Sequence, residues 1–197
     1  LGQAPRGLRL VEAELADGTT RELAGNVVLL ATGAHPRTLP DAQPDGERIL
    51  TWTQLYELDE LPEHLVVVGS GVTGAEFASA YSILGSRVTL VSSRDRVLPG
   101  HDNDAAELIE EVFAQRGMTV LSRCRANAAK RVGDGVEVTL SDGRVIECSH
   151  VLLAVGSVPN TDGLNLQESG VRLTDSGHIE VDRVSRTTIS RIYAAGD

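Results

Sequence analysis

Cysteine is nearly absent from this chain: Cys124 and Cys148 are the only two in 197 residues. They are far apart, with no CxxC-like spacing, which excludes a disulfide scaffold and a zinc ribbon. They read as incidental thiols of a reducing compartment, the cytoplasm. Positive charge is also short, with 18 Lys and Arg against 28 Asp and Glu and a net charge of -10. That excludes a phosphate-backbone binder and so a nucleic-acid partner. No apolar run approaches the roughly 18 residues that a membrane span needs. The five histidines (His35, His64, His101, His150, His178) fall in predicted turns or strand ends, and no two have ligand spacing. Each reads as a surface histidine, so no metal site and no catalytic base is assigned. A G-x-S-x-G elbow and a P-loop lysine are missing too. The chain starts at Leu1 rather than Met and stops at Asp197 after Ala-Ala-Gly, which reads as an internal piece of a longer protein.

What is present is a hydrophobic fraction of 41%, enough for a core without disulfides. One stretch stands out, LVVVGSGVTGAE from Leu65 to Glu76. Leu65–Val68 reads as a buried strand. Gly69, Gly71 and Gly74 form G-x-G-x-x-G, and an apolar helical pattern runs on to Leu84. Strand, glycine turn and helix in that order form the context of a dinucleotide site. Gly69 permits the tight turn, and Gly71 lets the backbone approach a pyrophosphate. Gly74 and Ala78 let the helix lie close to the strand. Ser70, Val72 and Thr73 fill the motif, where the helix N-terminus faces phosphates with free N–H groups.

Around this motif the pattern is β-α-β-α-β. Gly85 ends the first helix, Val88–Val91 is the second strand, and Asp104 with Glu107 suggests the next helix start. Leu108, Ile109, Val112 and Phe113 share a face of that helix, and Met118–Leu121 is a third strand. Asp134-Gly135 and Asp142-Gly143 then read as hairpin turns of a three-stranded antiparallel meander, Arg125–Val132, Val136–Leu140 and Arg144–Cys148. Val151–Val155 returns as a buried strand. The fold class is α/β: a Rossmann-type parallel sheet plus the meander, over residues 57–155. The flanks, 1–56 and 156–197, differ in character. Leu8–Leu15 and Arg21–Leu23 suggest a hairpin, and Val27–Ala31 a strand buried on both faces. Trp52–Leu58 reads as a short helix, and His178–Val181 and Ile192–Ala194 as short strands.

A Rossmann unit usually ends its second strand on an acid that grips the ribose 2′-hydroxyl of NAD. Here that position holds Ser92, followed by Ser93, Arg94, Asp95 and Arg96. A serine does not repel a 2′-phosphate, and Arg94 and Arg96 have the charge to pair with one. This favours NADP, or mixed use with NAD; the alternative is two solvated arginines offset by Asp95. Glu76 reads as an acid favoured at a helix N-terminus.

Three further motifs lie in register with the glycine turn: ATGAHPR (Ala31–Arg37), AVGSVPNT (Ala154–Thr161) and RIYAAGD (Arg191–Asp197). In that order the chain resembles the two-dinucleotide flavoproteins of the pyridine nucleotide–disulfide oxidoreductase family, over nearly its whole length. Its detailed wording, YELDELPEHLVVVGSGVTGAEF and VDRVSRT, looks most like the dihydrolipoamide-dehydrogenase-like NAD(P)H:quinone reductases of actinobacteria. The resemblance implies an NAD(P) domain at 57–155 inserted between partial FAD-domain segments at 1–56 and 156–197. It implies that Thr32, Gly33 and Ala34 meet the flavin side and that Asp197 hydrogen-bonds the flavin's ribityl chain. A cap for a following helix is the other reading of Asp197. Glu76 and Gly156 would lie at the nicotinamide end and Ala126 near the adenine. The implied cofactors are FAD with NADP or NAD, and the implied activity is electron transfer from NAD(P)H through FAD to a small-molecule acceptor such as a quinone. Dihydrolipoamide dehydrogenase and a non-turning-over nucleotide-binding module remain alternatives. The full-length protein is expected to be a homodimer.

Overall fold

The computed structural model describes residues 2, 3 and 7–197. In chain order the elements are β1 (Gly2–Gln3), β2 (Arg9–Glu14), β3 (Thr20–Gly25), β4 (Val28–Leu30), β5 (Ala34–Pro36) and β6 (Ile49–Thr51). Then come α1 (Trp52–Leu55), β7 (His64–Val68), α2 (Val72–Leu84), β8 (Arg87–Val91), α3 (Asn103–Gln115) and β9 (Thr119–Leu121). The chain continues through β10 (Ala126–Val132), β11 (Gly135–Leu140), β12 (Val145–Cys148), β13 (His150–Leu153), β14 (Ser157–Pro159) and β15 (Ile192–Ala194). It forms two compact units, Pro36–Gly156 and the two flanks 1–35 and 157–197.

In the Pro36–Gly156 unit the strands β6-β13-β7-β8-β9 form a parallel sheet. Its strands are apolar on both faces, because both faces are covered. Val66, Val68, Val91, Val151 and Leu153 pack on one side with Ala129, Val136, Val138 and Leu140 of the antiparallel β10-β11-β12 meander. Leu65, Val67, Val88, Leu90 and Leu152 pack on the other side with Ala75, Ala78 and Phe113 of the helices. The alternation of Leu65, Val66, Val67 and Val68 between the two cores is the period-2 geometry of a strand. Each fully buried Leu or Val contributes about 1.5–3 kcal/mol. Gly85 caps α2 in the left-handed conformation at φ 109°, as expected for a glycine there.

Several boundaries differ from the sequence reading. Ile49–Thr51 is a strand of the parallel sheet, paired with β13. The compact unit therefore begins at Pro36, ahead of the boundary read at 57. The helix read over Trp52–Leu58 is one turn, Trp52–Leu55, held by a Thr51–Gln54 capping box. The N-cap of α3 is Asp102, whose carboxylate accepts from Ala105 N, so Asp104 is a first-turn residue. The first meander turn is Gly133-Asp134, with Val132 paired to Gly135. Gly133 has φ +57°, and the first central position of a tight hairpin turn can require such an angle.

In the flank unit, β2 and β3 form the expected hairpin, with β1 added at its edge. β15 pairs parallel with β4, and Leu30 and Ile192 pack with Leu166 and Val171. Val27 and Leu29 are 57% and 60% exposed, so Val27–Ala31 is not buried on both faces. Only the Leu30 side of the strand has a core against it. His178–Val181 forms no strand; Ile179 makes an isolated bridge to Leu173. No helix among the described residues is long and apolar enough to cross a membrane.

Candidate functional site

The glycine turn follows β7 and opens α2, as its sequence context requires. Gly69 has φ +112°, and a Cβ there would run into the Ala154 carbonyl of β13's continuation. A Cβ on Gly74 would collide with the Gly69 carbonyl and sit 3.4 Å from the Ala154 methyl. These two glycines are therefore demanded by the fold. Gly71 is different: it has ordinary φ -68°, caps α2, and a Cβ on it would meet nothing within 4 Å. No neighbouring atom asks for glycine there; glycine is a better N-cap than alanine, and the bare backbone also leaves room for a ligand. The N–H groups of Gly71, Val72, Thr73 and Gly74 have no acceptor among the described residues, and α2's first backbone bond is Ala75 N–H to Gly71 O. Gly71, Val72 and Thr73 are exposed. Free donors and the positive end of a helix dipole fit a pyrophosphate.

Ser70 does not share that exposure. It is 4% exposed, and its hydroxyl lies 2.6 Å from the Ser92 hydroxyl and donates to Arg96 O at 3.4 Å. Its carbonyl accepts from Leu98 N–H at 2.8 Å. The glycine turn is thus clasped to the end of β8 and the loop after it. Ser92, read as the ribose position, is fully buried and also accepts from Arg94 N–H at 3.1 Å. It faces inward rather than towards a ribose. Ser93 and Arg94 are exposed. Arg96 is committed elsewhere, 3.6 Å from Glu107 and 3.8 Å from Asp95.

Ser93 and Ala126 line one cavity of about 170 Å³, with Gly69, Val68, Val91, Leu39, Val155, Cys124 and Arg125. The structure therefore brings the glycine turn, the β8 end and Ala126 together. Arg125 was not foreseen. Glu76 is exposed and lies beyond α2's first turn, so little of the helix-end effect reaches it. Gly156 is exposed with φ +101°, and its carbonyl accepts from Arg37 N–H. In the flank unit, Thr32 and Asp197 line another cavity of about 170 Å³ with Thr161, Ala194 and Gly196. Gly33 takes φ +66° and its carbonyl accepts from Asn160 N–H; Ala34 begins β5.

Two histidines correct the sequence reading. His64 and His150 are 6% and 7% exposed, at the starts of β7 and β13 and so at the other end of the sheet from the glycine turn. His64 Nε2 lies 3.0 Å from the Thr89 hydroxyl, and Arg87 contacts its Nδ1 at 2.9 Å. His150 Nε2 lies 3.0 Å from the Arg48 guanidinium. Burial, reinforced by Arg87, lowers the His64 pKa; burial and Arg48 push His150 down to about 4. Both rings are neutral structural groups. Burial pushes the Cys148 thiol up to about 12, which makes it unreactive. Among the described residues no cluster of His, Cys, Asp or Glu suits a metal ion.

The family model described as pyridine nucleotide-disulphide oxidoreductase matches residues 5–197. The chain is 58% identical over 187 residues to an NAD(P)H dehydrogenase (quinone) of Mycobacterium tuberculosis, covering 95% of this chain and 38% of that protein. It is 37% identical to a dihydrolipoyl dehydrogenase of Staphylococcus aureus, over 86% of this chain and 36% of the relative. The crystal structure of LpdA from M. tuberculosis superposes with a TM-score of 0.86 at 59% identity, over 94% of this chain and 40% of that one. The flavoprotein disulfide reductase RclA of Escherichia coli gives 0.82 at 28% identity, over 95% and 42%. The chain thus spans about two-fifths of the length of these relatives.

Proposed function

Because the chain belongs to the pyridine nucleotide-disulphide oxidoreductase family, we propose that its full-length protein is an FAD-dependent oxidoreductase taking electrons from NAD(P)H to a quinone-type acceptor. The observation that carries this reading is Gly71, where a Cβ would meet nothing within 4 Å, beside four N–H groups without acceptors among the described residues. When bound, the nicotinamide and flavin supply the redox chemistry, and the protein supplies orientation and electrostatics. The Pro36–Gly156 unit holds the NAD(P) pyrophosphate on the amides of Gly71–Gly74. The cavity at Ser93 and Ala126 takes the adenosine end, and Glu76 and Gly156 serve the nicotinamide end. The flank unit contributes Thr32, Gly33, Ala34 and Asp197 to the FAD site, with the Asp197 carboxylate as acceptor for a sugar-alcohol hydroxyl. The full-length protein works as a cytoplasmic homodimer.

The quinone acceptor is favoured by the 58% relative's name and by the missing carboxylate at Ser92. A dihydrolipoyl dehydrogenase is the second reading, favoured by the relatives so named. Oxidation of NADPH and NADH by the full-length protein, with menadione or lipoamide as acceptor, separates them. Turnover with menadione but not lipoamide is expected. Turnover with lipoamide alone sinks the quinone reading, and none with either makes the protein a binding module.

A further inference from the structure

We propose that Arg123 and Arg125, together with Arg94, form the cationic cradle for the 2′-phosphate of NADPH. The inference rests on the nucleotide reading of the glycine turn and names the selectivity of that site. The position that would carry a selective acid, Ser92, is turned inward and spent on Ser70 and Arg94 N–H. The charge of Arg96 is offset by Glu107 at 3.6 Å and Asp95 at 3.8 Å. The charge for a 2′-phosphate must therefore come from elsewhere, and the backbone shows where. Arg123 N–H donates to Arg94 O at 2.7 Å, and Cys124 N–H to Ser92 O at 2.8 Å. These bonds bind the segment after β9 to the segment after β8. Arg94 and Arg123 become backbone neighbours, and Arg125 lines the same cavity as Ser93.

All three arginines are exposed, and none takes part in an ion pair among the described residues. The nearby acids are engaged: Asp142 grips Arg144 at 2.6 Å, and Asp95 faces Arg96. Arg125 lines the cavity itself, and Arg94 and Arg123 flank its lining residues Ser93 and Cys124 in sequence, so three arginines without an acidic partner among the described residues gather on these two joined segments in a chain of net charge -10. Arg123 also holds φ +53°, a left-handed angle that a long side chain rarely adopts. Strain of this kind persists where surrounding structure enforces it and clusters at ligand clamps. Guanidinium forks match the oxygens of a phosphate dianion.

The test uses the 197-residue chain with 2′,5′-ADP and 5′-AMP as probes, titrated by calorimetry. The expected result is that 2′,5′-ADP binds at least roughly tenfold tighter, as charge-assisted contacts to one phosphate allow. Arg125→Gln and Arg123→Asn (asparagine tolerates the left-handed angle) should each bring the ratio of 2′,5′-ADP to 5′-AMP affinity close to one. Arg116→Gln, on the far end of α3, should change neither. Equal affinity for the two probes, or a preference that survives both substitutions, overturns the cradle and leaves the nucleotide reading standing. No binding of either probe overturns the nucleotide reading and the cradle with it.

Discussion

The three glycines of one motif are constrained by three different things, and substitution separates them. Gly69 combines a left-handed angle with a carbonyl where its Cβ would go, so alanine there is both strained and overpacked. Gly69→Ala should cost about 2–4 kcal/mol in denaturant unfolding, by the sum of those effects. Gly71→Ala meets open space and should cost only about 1 kcal/mol, the difference between glycine and alanine as an N-cap. Yet it should weaken nucleotide binding by more than tenfold, on the order of 1.4 kcal/mol or above, because a methyl then stands where the pyrophosphate approaches. A Gly71→Ala variant that binds NADP analogues as the parent does would refute the assignment. The Ser70–Ser92 clasp has its own test. Removing either hydroxyl takes one hydrogen bond from a buried partner that keeps others, at about 1 kcal/mol. A double-mutant cycle of Ser70→Ala and Ser92→Ala should give a coupling of about 1 kcal/mol. Additivity would mean that the 2.6 Å contact contributes nothing.

At the scale of elements, what was legible followed from periodicity and turn chemistry. Leu65–Val68, Val88–Val91 and Val151–Val155 read as strands because both faces of the sheet are covered. Ile49–Thr51 did not, because three residues carry no period and its partner β13 lies some 100 positions away in sequence. The glycine motif was legible; the inward turn of Ser92 was not, since only Ser70 opposite it decides where the hydroxyl points. The histidines were misread for the same reason. His64 and His150 open strands that bury their first residue, and sequence neighbours such as Glu63 and Ser149 gave no sign of it. That burial has a pH consequence. Both rings are harder to protonate folded than unfolded, so the unfolded chain binds more protons below pH 6.5. The contribution of His150 is complete above about pH 6.5 and falls as the pH drops towards 4, and that of His64 also falls as the pH drops below 6.5. Between pH 7 and 5 His150 alone should remove about 2 kcal/mol. Arg48 opposes its protonation and Asp45 favours it. In His150→Gln the loss of stability over that interval should be smaller by about that amount, measured by denaturant unfolding at each pH. An identical slope would show that the ring is not the group that titrates.

At the scale of the whole molecule, the flank unit and the Pro36–Gly156 unit are unequal in what they bring. The chain contains one G-x-G-x-x-G, at Gly69–Gly74, while the proposed activity needs two dinucleotides. The flank unit offers Thr32 and Asp197 around a cavity of about 170 Å³, which suits part of a ribityl chain. It offers no glycine turn on a helix N-terminus for a second pyrophosphate, and its helices are absent among the described residues. A pyrophosphate contributes much of a dinucleotide's affinity through such amides. The 197-residue chain should therefore bind 2′,5′-ADP and lose FAD on dialysis, with the yellow flavin absorbance falling to background. Retention of one FAD per chain would mean that the flank unit binds flavin through contacts other than a glycine-turn pyrophosphate site. The two binding results separate the units: the first depends on the glycine turn and the Ser93–Arg125 cavity of the Pro36–Gly156 unit, and the second on what the flank unit does without such a turn.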